Sequence, residues 1–209
     1  ISDLHFISND IGYFTTLDGE GMRFDLRDPS TLKRSNDVWR LHDKKIGYSS
    51  VCPNNLNLLA TGSLDRTMRI WDLRMIKPQS WSKFEDSRSP TCIGSYQSRL
   101  SVSSVDWNFN GDLVINGYDD TIRLFNFGKD LSGLPEVTSG VKKEEEELEE
   151  DIIEIPNNLT PNETITHNCQ SGRWVTILKA RWQINPLDCM NKFIIGNMKK
   201  SLDVYSSDG

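Results

Sequence analysis

One pattern of residues recurs along this chain, and an internal repeat restricts the possible folds more than any average property does. Leu58 to Arg74 reads LLATGSLDRTMRIWDLR, Leu113 to Gly128 reads LVINGYDDTIRLFNFG, and Gly12 to Arg27 reads GYFTTLDGEGMRFDLR. Each is an apolar run, a polar turn holding an Asp, and an alternating run that ends on an aromatic. The Asp stands six residues before that aromatic in all three, as Asp18 and Phe24, Asp65 and Trp71, and Asp119 and Phe125. A fourth copy, Phe193 to Gly209, reads FIIGNMKKSLDVYSSDG and has Lys199 at the Asp position and Tyr205 at the aromatic one.

The alternation in Thr67-Met68-Arg69-Ile70-Trp71 and Thr121-Ile122-Arg123-Leu124-Phe125 has the period of two of a strand with one buried face, so each copy predicts a hairpin. Another strand-like segment precedes three of the copies: Ile46 to Pro53, Val102 to Gly111, and Trp174 to Pro186. The repeating unit is then close to the roughly 40 to 45 residues of a WD repeat, with loop insertions added. One such unit cannot bury both of its faces, but blades stacked around an axis bury them against each other. The expected fold is all-β: a WD-repeat β-propeller with about four blades present. Because the chain starts inside a strand pattern and stops just after one, the expectation is of further blades on both sides, in a ring of about seven.

In the most complete copy, His42 precedes the first strand, Thr61 lies in the next, Asp65 in the turn, and Trp71-Asp72 at the end. These positions resemble the hydrogen-bonded tetrad of WD-repeat proteins. That assigns His42, Thr61, Asp65 and Trp71 a structural role, a buried network that fixes the blade. In the other copies Phe14 and Ile115 stand where the hydroxyl should be.

The 209 residues are 36% apolar and 26% charged, enough to bury the core of one domain. Two insertions are expected in it, at about 75–99 and 129–168. The second contains Lys142 to Glu154, KKEEEELEEDIIE, whose two Lys face seven Glu and one Asp. That tract carries the whole net charge of −6, so the rest of the chain is balanced and the acidity says little about any binding face. The acidic part is expected to be a solvated, flexible insertion. No run approaches the roughly 18 to 20 apolar residues of a membrane span, so neither a membrane partner nor a membrane location is expected. Cys52, Cys92, Cys169 and Cys189 lie far apart without a CxxC pair, which reads as reduced thiols in an intracellular protein. His5, His42 and His167 fall at unrelated places, and no nucleophile triad, phosphate loop or metal constellation appears. No enzyme activity, metal, cofactor or small-molecule substrate is expected.

Three stretches together resemble one family, that of the WD-repeat damaged-DNA-binding small subunit and its fungal relatives of the changed-mutation-rate type. They are Leu41 to Ile46 (LHDKKI), Leu58 to Arg74 with its terminal Ile-Trp-Asp-Leu-Arg, and His167 to Trp174 (HNCQSGRW) followed by Lys179-Ala180-Arg181-Trp182. The segment Gly196 to Tyr205 fits the same family, and the fungal branch is the nearer one. The resemblance implies DNA binding through one face, double-stranded and with single strands as an alternative, in a nuclear protein also compatible with the cytoplasm. In the better-known relatives ultraviolet-damaged duplex is preferred, and a hairpin before a blade's first strand enters the duplex at the lesion. Here that hairpin is Cys169 to Trp174, which holds Gln170, Ser171, Gly172 and Arg173 instead of a bulky aromatic trio. General DNA affinity is therefore expected more than lesion wedging.

A physical argument runs in parallel. If loops before first strands share a rim, Lys44, Lys45, Arg173, Trp174 and Lys179 lie near one face, where cations neutralise phosphates and an aromatic stacks on a base. Lys199 and Lys200 occupy a turn that could lie on either rim. The plainer alternative makes these solvated loop residues and a core Trp. Separately, Trp71, Asp72 and Arg74 match the WDxR signature of propellers that dock on the adaptor of cullin-4 ubiquitin ligases, with Phe24 to Arg27 a weaker echo. The rival function is accordingly a protein-interaction scaffold, in chromatin or as a ubiquitin-ligase substrate receptor.

Overall fold

A computed structural model describes residues 1–28, 30, 38–84, 86–135, 155–169, 178–184 and 190–207. They form four antiparallel sheets in chain order. Blade 1 is β1 (Asp3–Phe6), β2 (Ile11–Thr15), β3 (Glu20–Asp25) and β4 (Val38–Arg40), and blade 2 is β5 (Ile46–Val51), β6 (Leu58–Ser63), β7 (Thr67–Pro78) and β8 (Arg88–Gln97). Blade 3 is β9 (Val102–Trp107), β10 (Asp112–Gly117), β11 (Thr121–Asn126) and β12 (Glu163–Thr166); blade 4 has β13 (Arg181–Trp182), β14 (Lys192–Gly196) and β15 (Leu202–Ser206). The four sequence copies are the β2–β3, β6–β7, β10–β11 and β14–β15 hairpins. The all-β four-blade arrangement is thus the one that the repeat predicts.

Packing between blades explains the residues on each strand. Met68, Ile70, Val105, Leu113 and Ile115, all fully buried, form the core between blades 2 and 3. Leu41, Ile46, Leu59 and Trp71 fill the space between blades 1 and 2, and Val114, Ile122, Ala180 and Phe193 that between 3 and 4. Central strands are buried on both faces, which is why Leu58–Ser63 and Asp112–Gly117 are buried at every position. A polar seam repeats along the innermost strands: each accepts a backbone N–H from the next blade. Asp3 Oδ2 takes the N–H of Ser49 (2.9 Å), Ser50 Oγ that of Trp107 (3.1 Å), and Asp106 Oδ2 that of Trp182 (2.9 Å).

The structure corrects the insertion assigned to 75–99. Residues 75–78 complete β7 and 88–97 form β8, the outer strand of blade 2, so only the tip of a hairpin is extra. Two features hide this strand in the sequence. Its burial covers both faces, which removes the alternation. Pro90, which has no N–H to donate, sits beside a register shift between Asp72 and Ile76 where the ladder is interrupted. Part of the 129–168 segment is also structural. β12 pairs with β11, Leu159 is buried against Gly94, and the Leu159 N–H donates to the Ser95 carbonyl at 3.0 Å. The acidic tract itself lies outside the described residues.

The outer faces of the end blades differ from the interior ones. Leu4, Phe6 and Leu26 in blade 1 and Leu202 and Val204 in blade 4 are each about half exposed or more. Among the described residues no helix is long and apolar enough to cross a membrane.

Candidate functional site

The tetrad forms as the residue types require. Trp71 Nε1–H donates to Thr61 Oγ1 (2.9 Å), Thr61 meets His42 Nε2 (2.7 Å), and His42 Nδ1 meets Asp65 Oδ2 (2.7 Å). The chain closes when the Thr61 hydroxyl donates to Nε2 and Nδ1–H donates to Asp65, an arrangement that needs a neutral imidazole. Burial holds the His42 pKa below its usual value, aided by nearby Arg69 and opposed by Asp65. Burial resists ionisation of Asp65, but the interactions with His42, Arg69 and the Thr67 hydroxyl outweigh it and hold that carboxyl well below the usual range. Trp81, on the β7–β8 hairpin, covers this network: Arg69 lies over its ring at 4.4 Å and the ring packs against Trp71. The sequence places Trp81 in the insertion expected at about 75–99 and packed over the rim, but gives no sign of its contact with Arg69 and Trp71.

The network is also a fastener for one rim of the propeller. Each loop that leads into an innermost strand is stitched to the hairpin turn of the preceding blade: His42 N–H to Gly19 O (2.9 Å), Ser98 N–H to Arg66 O (2.8 Å), His167 N–H to Asp120 O (3.0 Å). The same loops are tied to their own blade's turn, Leu64 N–H to Lys45 O and Tyr118 N–H to Ser101 O. Entry loops and β6–β7-type turns therefore share one end of the blades. Lys44 and Lys45 are exposed on this rim, and so are Lys199 and Lys200, whose turn is the blade 4 counterpart of the others. The alternative that put the Lys199–Lys200 turn on the opposite rim does not hold.

The structure adds two exposed cations to this rim that sequence reading missed. Arg66 follows the turn Asp65, and Arg99 follows Ser98, the blade 3 counterpart of His42. Arg99 had no signal because the His that marks this loop is absent from blade 3; only the shared backbone bond aligns it. Among the described residues none of these six cations is in an ion pair. The rim's exposed carboxylate Asp18 belongs to blade 1, so the positive character is concentrated on blades 2 to 4. Lys179 stands elsewhere. Its ammonium lies 4.0 Å from the centre of the Tyr48 ring, and the Arg181 guanidinium lies 4.3 Å from the same centre, against the innermost strands. Arg181 also pairs with Asp106 at 2.8 Å, where burial pushes the carboxyl up to about 6 against the Trp182 N–H and Ser50 hydroxyl that favour its charge. Gln170, Ser171, Arg173 and Trp174 lie outside the described residues.

Trp71 and Asp72 are buried and carry the blade to its other end. There the Leu73 N–H donates to Asn57 O (2.8 Å), and Arg74 projects outward with a side chain 63% exposed. Asp72 grips Arg74 through Nε (2.9 Å) and Nη2 (2.6 Å), a bidentate pair that fixes the guanidinium plane. Asp25 holds Arg27 in the same way in blade 1, at 3.0 and 2.7 Å. Of the candidate residues, the Arg74 set and the Lys44 set thus occupy opposite rims.

The WD domain, G-beta repeat model matches residues 34–72 and 90–126, the segments that hold the tetrad and its blade 3 counterpart. These two segments carry WD repeats. The chain is 51% identical over 199 residues to the DNA damage-binding protein CMR1 of Debaryomyces hansenii, covering 94% of this chain and 34% of the relative. It is 49% identical to the CMR1 protein of Candida albicans, with 94% and 34% covered, and 41% identical to that of Aspergillus oryzae, with 94% and 33% covered. The chain spans about a third of the length of these curated relatives. Its fold matches that of the computationally designed Ika4 protein at a TM-score of 0.57 and 14% identity, over 99% of this chain and 90% of the other.

Proposed function

We propose that this chain is the DNA-binding part of a non-enzymatic WD-repeat protein of the DNA damage response, and that duplex DNA lies along the rim carrying Lys44, Lys45, Arg66, Arg99, Lys199 and Lys200. The single observation that carries this reading is that six exposed cations from three blades, none of them in an ion pair among the described residues, share one end of the propeller. Cations of this kind neutralise backbone phosphates and release counterions. The similarity to proteins named DNA damage-binding supports the same partner. The exposed apolar faces of blades 1 and 4 support further blades in the whole protein, and the nucleus is the compartment this function requires.

A mobility-shift titration of the full-length protein on intact and irradiated duplexes, at several salt concentrations, tests the reading. Binding that weakens as salt rises is the expected result; no shift at low salt rejects DNA binding, and equal shifts on both duplexes reject a damage preference. Lys44→Glu with Lys45→Glu is expected to lower affinity at least tenfold with an unchanged melting temperature, since two phosphate contacts become repulsive.

The displayed Asp72–Arg74 and Asp25–Arg27 pairs favour a second, compatible role in protein docking on the opposite rim, to a ubiquitin-ligase adaptor or a chromatin protein. Co-purification of the full-length protein with the cullin-4 adaptor, lost in Arg74→Ala, is the test of that role. Retention in Arg74→Ala rejects it.

A further inference from the structure

The four equivalent turns are not chemically alike: blade 1 has Asp18 with Met22 four residues on, and blade 4 inverts the acid–base order of blades 2 and 3. In blades 2 and 3 the turn carries the acid and the following strand, four residues on, carries the base: Asp65 with Arg69 (3.4 Å) and Asp119 with Arg123. Both arginines are 8% exposed, so each blade spends its cation inside the network. In blade 4 the turn position is Lys199 and the strand position is Asp203. The His is kept, but its partner has moved. His167 Nε2 meets Asp203 Oδ2 at 3.0 Å, and the His167 and Tyr205 rings meet edge to face at 6.2 Å, the spacing of His42 and Trp71.

We propose that this exchange of acid and base positions makes Asp203 the positioning residue of an outward-facing cation pair, Lys199 and Lys200, which takes the phosphates of a DNA backbone. The proposal rests on the reading that DNA lies along this rim. With the acid supplied from the strand, the turn no longer needs a carboxylate and can present two ammonium groups to solvent. The turn is also built to hold them. Asn197 Oδ1 accepts the N–H groups of Lys199 (2.9 Å) and Ser201 (3.1 Å), while Asn197 Nδ2 donates to Asp203 Oδ1 (2.9 Å). Lys200 sits at φ +63°, the left-handed conformation that Gly19, Arg66 and Asp120 adopt at the same turn position of blades 1 to 3, so its ammonium is presented by a turn geometry common to the four blades.

The test uses the full-length protein and the dependence of DNA affinity on salt. Lys199→Asp with Asp203→Arg restores the blade 2 arrangement; it is expected to melt as the parent does, to bind DNA several-fold more weakly and to lower the slope of log affinity against log salt by about 1. Lys199→Gln with Lys200→Gln leaves His167 and Asp203 in place and is expected to lower the slope by about 2. Lys199→Arg with Lys200→Arg is expected to keep the parent slope. An unchanged slope in the double Gln variant overturns the proposal. If Lys44→Glu with Lys45→Glu still weakens binding, the rim reading survives that failure; if the parent itself does not bind DNA, the rim reading fails and takes this proposal with it.

Discussion

Blade 2 and blade 4 solve the same problem with opposite charge patterns. In blade 2 the tetrad is closed: His42 and Trp71 are fully buried and hydrogen bonds run unbroken from Trp71 through Thr61 and His42 to Asp65, while the adjoining Arg69 Nε and Trp81 Nε1 are buried with no hydrogen-bond partner among the described residues. In blade 4, Ile195 replaces the hydroxyl, Tyr205 is only partly buried, and the acid Asp203 has a side chain 37% exposed. A complete network stabilises a blade, while an incomplete one leaves positions free to vary. The turn that varies most, Lys199–Lys200, is where the chain has placed cations on its surface.

Equivalent substitutions in the two blades are accordingly expected to have unequal effects. Trp71→Ala removes the largest fully buried side chain and the indole N–H that donates to Thr61, so a loss of about 3 to 5 kcal/mol is expected from denaturant unfolding of the full-length protein. Tyr205→Ala is expected to cost less than half of that, and equal losses would abolish the distinction between the two blades.

Acidification should separate a tetrad residue from a seam residue. Because burial lowers the folded pKa of His42, the unfolded chain binds a proton more readily, and His42 loses stability as the pH falls below about 6.5. Asp106 has the opposite sign: its folded pKa is raised from 3.8 to about 6, so the native state gains stability as the pH falls through that window. His42→Gln is therefore expected to be less stable at pH 7 but to lose less than the parent between pH 7 and 5. Asp106→Asn is expected to lose more than the parent over the same range. Melting temperatures at the two pH values decide both.

The smallest effect concerns the strained turn. Lys200→Gly is expected to stabilise blade 4 by up to about 1 kcal/mol while weakening DNA binding, a trade of stability against function. A Lys200→Gly protein that is no more stable than the parent shows that this turn holds a non-glycine residue at positive φ without measurable cost.

The hairpin repeat was legible because alternation and turn chemistry are local properties. So was the tetrad, since His42, Thr61, Asp65 and Trp71 resemble the hydrogen-bonded tetrad of WD-repeat proteins. The β8 strand was not legible, because burial on both faces and Pro90 beside a register shift erase the period of two. Arg66 and Arg99 were also invisible as a set with Lys44 and Lys45, since they come from different loops of different blades.

The sequence by itself determined that this chain repeats a hairpin unit whose faces must be buried by neighbouring units, and it determined which blade carries the full network. Only the tertiary structure decided that entry loops and hairpin turns share a rim, that Arg74 lies at the opposite one, and that Asp203 replaces the missing turn acid for His167. The physical reason is that strand alternation is encoded residue by residue, whereas a charged rim is assembled by hydrogen bonds between blades far apart in the chain.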